Sequence, residues 1–146
     1  MPTPSLVKHL RYEVQMLGDT WAKISARDFD GQTAQNALIE SFCIHARNLN
    51  EFFVEESKWA DTLKASSFVD AGYKRPRSTK RRKALFSKIN KQIAHLTKNR
   101  TSVARHKIGE KQMLDMFVLL YRDLVNFDGH IRPKLRRKWK VVFAGH

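Results

Sequence analysis

An all-α, four-helix-bundle-like single domain, carrying a basic loop and a basic C-terminal tail, is predicted by three observations. Four stretches repeat apolar residues at steps of three and four, the spacing of one helical face. No strand alternation, internal repeat or sustained heptad is present. At 146 residues and 42% hydrophobic, the chain has the size and apolar content for one core. The expected domain organisation is a bundle over 1–129 followed by a basic tail over 130–146.

The first helix is predicted over 4–26. Thr3 is a suitable N-cap and Pro4 a suitable first residue, because the missing proline N–H is unpaired there anyway. Leu6, Leu10, Val14, Leu17, Trp21 and Ile24 form its stripe, and Gly18 marks a place where it can kink. Asp28-Phe29-Asp30-Gly31 is turn chemistry, with Asp30 or Thr33 as the next cap. The second helix, 32–56, gathers Leu38, Phe42, His45, Leu49, Phe52 and Phe53 into one arc, with Glu40, Arg47 and Glu51 opposite.

Between 57 and 80, Trp59, Leu63, Phe68, Val69 and Tyr73 predict a short helical turn and a loop packed on the core. The string KRPRSTKRRK (74–83) puts seven cations around a proline and is expected to be exposed. A third helix over 80–100 would bury Leu85, Ile89, Ile93 and Leu96. The fourth, 109–128, has the stripe Met113, Phe117, Leu120, Leu124 and Phe127. Leu114, Val118 and Leu119 extend its apolar surface around most of the circumference. Such a helix is either central in the bundle or covered by a second subunit, and the second alternative gives a homodimer through this helix, with a non-catalytic dimeric scaffold as an alternative function. Asp128-Gly129 predicts a left-handed glycine cap. Beyond it, Pro133 starts a short basic helix or VVF ends the chain as a strand; periodicity does not separate the two.

Charge narrows the function. The net charge of +14 is uneven: residues 1–73 hold 7 Lys/Arg against 10 Asp/Glu, residues 74–111 hold 14 against 1, and residues 112–146 hold 7 against 3. One basic segment in an otherwise balanced chain points to a polyanion partner, RNA or DNA, led by backbone charge. Lys74, Arg75, Arg77, Lys80, Arg81, Arg82, Lys83, Arg136, Arg137 and Lys138 are the candidate contacts, with Trp139 and Tyr73 available to stack on bases. No recognition helix, ribonucleoprotein motif, KH loop or zinc finger accompanies them.

Chemistry is less evident, and the balance is against an enzyme. His45 stands in the middle of an apolar arc, where a charged imidazolium is costly. The plainer reading is a neutral core histidine bonded to Ser41, Asn48 or a neighbouring helix; the functional one is a proton-transfer group. On a helix, Arg47 points about 160° away from His45 and Asn48 only about 60° away, so Asn48 alone can share its site, leaving Arg47 to pair with Glu51. Should the second and third helices be neighbours, His45, Asn48, His95 and Arg100 would converge into one polar pocket suited to phosphodiester chemistry. No metal site is expected, because no second His or carboxylate follows His45 at i+4 and no C-x-x-C occurs. No phosphate loop or nucleophile elbow points to a cofactor. The single cysteine, Cys43, and the absence of a signal peptide or apolar span predict a cytoplasmic protein without a membrane partner.

Glu40, His45-Ala46-Arg47, Leu49 and Phe52-Phe53, followed by Ala94-His95-Leu96-Thr97 and Arg100, resemble a family of bacterial all-helical proteins with H-A-R-x-L-x-x-F-F and A-H-L-T-x-x-R motifs. The resemblance covers about residues 30–125 and implies a helical fold without implying an activity. A looser similarity, to HEPN-type helical domains, implies RNA cleavage through an R-x4–6-H motif. This chain departs from that motif: no histidine follows Arg47 at that distance, and Arg100 to His106 falls in a predicted turn.

Overall fold

The computed structural model describes residues 4–91 and 108–139. Among them the chain forms five α-helices and no named strand: α1 Pro4–Ser25, α2 Gly31–Val54, α3 Lys80–Ile89, α4 Glu110–Asp128 and α5 Pro133–Trp139. The all-α fold class holds. The fifth helix comes from the segment whose conformation the sequence leaves open. No helix among the described residues is long and apolar enough to cross a membrane.

Helices α1 and α2 form an antiparallel hairpin. Val7, Leu10, Val14, Leu17 and Ile24 of α1 are buried against Phe42, Ala46, Leu49 and Phe53 of α2. Leu6 and Trp21 lie at the margin of that face, and Val7 replaces Leu6 at its centre. Helix α1 runs through Gly18 to Ser25. It stops where Arg27 turns left-handed (φ 55°), with the Asp28 amide donating to the Lys23 carbonyl at 2.8 Å. Asp30 is the N-cap of α2 but gives no side-chain cap bond.

The segment after α2 is tied down by polar contacts. Val69 forms an antiparallel bridge with Ile131. The Asp70 amide donates to the His130 carbonyl at 2.9 Å, and the Arg132 amide donates to the Phe68 carbonyl at 3.0 Å. His130 Nδ1 also donates to the Asp70 carboxylate at 2.9 Å, and that bond holds the Asp70 carboxyl below its ordinary value. A short 3₁₀ turn, Ala65–Ser67, places Ala65 and Phe68 in the core.

Helix α3 begins on a real cap: Thr79 Oγ1 accepts from the Arg82 amide at 3.1 Å. Its apolar side, Phe86 and Ile89, meets the core. The continuation of this helix to 100, with Ile93 and Leu96, lies outside the described residues. Helix α4 buries Met113, Met116, Leu120, Leu124 and Phe127. Met113, Leu120, Leu124 and Phe127 are buried as the predicted stripe requires, while Phe117 is only partly buried and Met116 takes its place in the core. The glycine cap is not left-handed: Gly129 has φ −68°, and the chain leaves α4 through ordinary right-handed geometry with Gly129 N–H bonded to the Val125 carbonyl at 3.2 Å.

The sequence from 130 is not a free tail over its described part. Helix α5 packs on α1, and Leu135 and Trp139 are core residues. Trp139 donates its indole N–H to Asp128 Oδ1 at 2.7 Å. Its ring meets Phe127 edge to face at 5.1 Å, and Phe127 also contacts Phe52 (5.5 Å), Phe53 (6.0 Å), Phe68 (6.3 Å) and Tyr73 (6.3 Å). One aromatic hub thereby joins α2, the 65–73 segment, α4 and α5. Edge-to-face pairs at such distances add to simple burial. Neither Trp139 nor Tyr73 is presented for base stacking: Trp139 is fully buried and Tyr73 is packed into this hub.

Candidate functional site

The sequence-predicted residues separate into a basic groove and a polar cluster. The groove, about 790 Å³ in volume, runs between α3 and α4. Arg77, Arg81 and Lys88 line it from the α3 side, Lys111 and Arg122 from α4, and Leu85, Leu114, Val118 and Leu119 form apolar wall. Arg82 and Asp123 close its inner end. Six cations face it against two carboxylates, Asp115 and Asp123, a formal excess of four positive charges. Among the described residues no ion pair neutralises Arg77, Arg81, Lys111 or Arg122.

Arg82 departs from the surface role that its place in the basic string suggests. It is 5% exposed, and its guanidinium donates to Asp123 Oδ2 at 2.6 Å and to Asn50 Oδ1 at 2.7 Å. The Phe86 ring lies 5.6 Å from the guanidinium carbon. Burial pushes the Asp123 carboxyl up from its ordinary value, opposed by the hydrogen bond and charge of Arg82. Helix periodicity explains the placement, because Arg82, Phe86 and Ile89 share the inward side of α3 while Lys80, Arg81 and Lys83 face out. An arginine is suited to such a position, since its planar fork serves two acceptors at once.

The other candidate cations are exposed. Lys74 and Arg75 lie in the loop before α3, where the Lys74 carbonyl accepts from Asn126 at 3.0 Å. Lys80 is exposed, and Lys83 reaches Glu56 at 3.8 Å. Arg136, Arg137 and Lys138 stand on the outer side of α5, with Arg136 donating to the Ile131 carbonyl at 3.3 Å. Helix α5 packs on α1 whereas α3 packs on α2 and α4, so the two basic segments rest on different neighbours. Lys88, Lys111 and Arg122 are groove cations outside the candidate contacts, and Arg122 alone also lies outside the basic segment 74–111. It is hidden within the most apolar helix, and its signal is that it shares an outward face with Lys111 and Asp115.

The second cluster surrounds His45, which is buried at 8% exposure. Its partner is neither Ser41 nor Asn48 but Glu13 of α1, whose Oε2 lies 2.5 Å from His45 Nδ1. Asn48 converges on the same carboxylate, donating to Glu13 Oε1 at 3.2 Å. A carboxylate only accepts, so Nδ1 carries the proton in this contact. The Tyr12 ring meets the imidazole edge-on at 5.4 Å. Glu13 satisfies both inward polar groups of α2, which makes the cluster a polar clasp across the α1–α2 hairpin. Glu13 was legible as an acid seven residues after Leu6 and three after Leu10, on the apolar side of its own helix.

A cleft of about 200 Å³ next to the clasp is lined by His9, Glu13, Asn48 and Thr62, and His45 is not among its walls. Arg47 does not pair with Glu51; its guanidinium donates to Asn90 Oδ1 at 3.5 Å. His95 and Arg100 lie outside the described residues, so the pocket imagined from His45, Asn48, His95 and Arg100 is placed only in its first half. Among the described residues no group of three His, Cys, Asp or Glu side chains is arranged to hold a metal ion. Comparison with protein families, with curated proteins and with solved structures finds no match to this chain.

Proposed function

We propose that this chain binds nucleic acid or a related polyanion in the groove between α3 and α4. The observation that carries the proposal is the set Arg77, Arg81, Lys111 and Arg122, which faces one groove without an ion-pair partner among the described residues. Cations held side by side neutralise successive phosphates by releasing counterions. The apolar wall at Leu114 and Val118 adds a surface for sugars and bases. Lys74, Arg75, Lys80 and the α5 cations extend the positive field and raise the encounter rate without fixing geometry.

Four phosphate contacts give a slope of log K against log salt of roughly −2.8 on a single strand and −3.6 on a duplex, a loss of about 50- to 150-fold in affinity between 50 and 200 mM salt. Fluorescence anisotropy with a labelled single-stranded RNA, a DNA duplex and heparin measures this. Arg81→Glu with Lys111→Glu should flatten the slope, by about 0.7–0.9 per contact removed. Absence of binding to every probe at 50 mM salt overturns the proposal. So does binding that survives both groove variants and is lost on changing Arg136, Arg137 and Lys138. The same RNA, run on a gel, reads the HEPN-like enzymatic alternative: cleavage lost in His95→Ala and kept in Lys80→Ala would replace simple binding by RNA processing. A second copy of the chain is also a proposed partner, through the outer side of α4.

A further inference from the structure

Helix α4 carries an apolar stripe that lies outside the core formed by the described residues. Leu114, Val118, Tyr121 and Val125 are 45%, 40%, 52% and 52% exposed, and they recur at steps of four, three and four. That spacing is one continuous helical seam, the pattern of a helix paired along its length with another. Tyr121 is also held in place: its ring stacks on Phe117 at 6.2 Å, and Phe117 stacks on Trp21 at 5.9 Å. The ring that would enter an interface is therefore already ordered by the core.

Charge selects the occupant. Asp115 and Arg122 are exposed, stand seven residues apart, and occupy the same flank of the stripe. Neither has an ion-pair partner among the described residues. In an antiparallel pair of identical helices related by a two-fold axis, each flank faces its own copy. The register that sets Leu114 against the second copy's Val125, and Val118 against its Tyr121, then brings Asp115 beside the second copy's Arg122. Symmetry makes that contact twice. A parallel pairing would turn this flank toward the opposite flank of the second copy, and Asp115 would not meet Arg122.

We infer that α4 is an isologous self-association face, on which a second copy docks antiparallel and is kept in register by two Asp115–Arg122 pairs. The inference rests on the proposal that a second copy is a partner, and it adds the orientation and the contacts. Leu114, Asp115, Val118 and Arg122 line the groove as well as the seam, so pairing covers one wall of each groove and competes with a polyanion for Arg122. A single helix pair is a small interface, and the self-affinity expected is no tighter than about micromolar.

Sedimentation velocity of the full chain between about 5 and 200 µM brackets that affinity. The wild type should shift from monomer to dimer across the series. Asp115→Arg, which sets four cations at the two contacts, should weaken association by about tenfold or more, and Arg122→Asp should do the same with acids. The double variant Asp115→Arg/Arg122→Asp restores complementarity and should recover the dimer. Both positions are on the surface, so circular dichroism should stay at wild type. A wild type monomeric at every concentration overturns both the second-copy reading and the seam, and leaves the stripe to a different occupant. A dimer that ignores Asp115→Arg, or is not recovered in the double variant, overturns the antiparallel register while self-association stands on another surface.

Discussion

Replacing Arg82 by methionine should damage the fold more than the function, although Arg82 belongs to the most basic string of the chain. Asp123 is 8% exposed and lies beside the Arg82 guanidinium. Removing the guanidinium leaves a buried carboxylate and the Asn50 side-chain oxygen without their donor. Breaking a buried pair from one side costs about 3–5 kcal/mol, most of it the uncompensated charge left behind. For a domain of this size that corresponds to a fall in melting temperature of roughly 6–20 °C. The sign of the pH dependence follows. Burial already raises the Asp123 carboxyl, and loss of Arg82 removes what opposes the rise. A folded-state value above the unfolded one means that the folded protein binds the proton more tightly. The deficit of Arg82→Met should therefore be largest at neutral pH and shrink as pH falls through the folded-state value. Arg82→Met/Asp123→Leu takes out both charges and should recover most of the loss. Urea or thermal unfolding by circular dichroism, between pH 4 and 7.5, compares both variants with the wild type. A deficit below about 1 kcal/mol in the single variant, or a double variant no better than the single, would refute the buried-pair account.

Two further outcomes follow from the core and its edges. Cys43 is fully buried, and burial with Glu40 nearby pushes its thiol up to about 12. It should resist a thiol-reactive disulfide reagent in the native state and react at once in urea; prompt native labelling would contradict the packing of α2. Arg27 holds left-handed geometry at the end of α1, where glycine carries no steric penalty. Arg27→Gly should raise stability by about 0.5–1 kcal/mol in the same unfolding assay, since its Glu110 contact is an exposed pair at 3.6 Å.

How much of this was legible beforehand differs from element to element for physical reasons. The four long helices follow from spacing, because a step of three and four is set by helix geometry alone. Their boundaries at Ser25, Val54, Lys80 and Asp128 fall within two residues of expectation. Helix α5 resisted the same reading. In seven residues, Pro133–Trp139, it buries only Leu135 and Trp139, too few points to define a period among four cations. The Gly129 cap misled because a glycine permits left-handed geometry and does not require it. A composition count cannot separate Arg82 from Arg81, whereas one step around a helix turns a phosphate contact into the counterion of a buried acid.

The string His45-Ala46-Arg47-Asn48 shows the same principle at the place where chemistry looked most probable. Wound on α2, it sends His45 and Asn48 inward to one carboxylate and Arg47 outward to Asn90. What arrives at the imidazole is a glutamate from α1, thirty-two residues earlier in the chain, and no periodicity within α2 announces it. A carboxylate at that position repels phosphate, so the clasp is a poor anion site for the reason that makes it a good structural one. The cations are gathered on the opposite account: outside the clasp, along α3 and the outer side of α4, where no acid among the described residues pairs with Arg81 or Lys111. The histidine holds the hairpin together, and the proposed binding belongs to the groove.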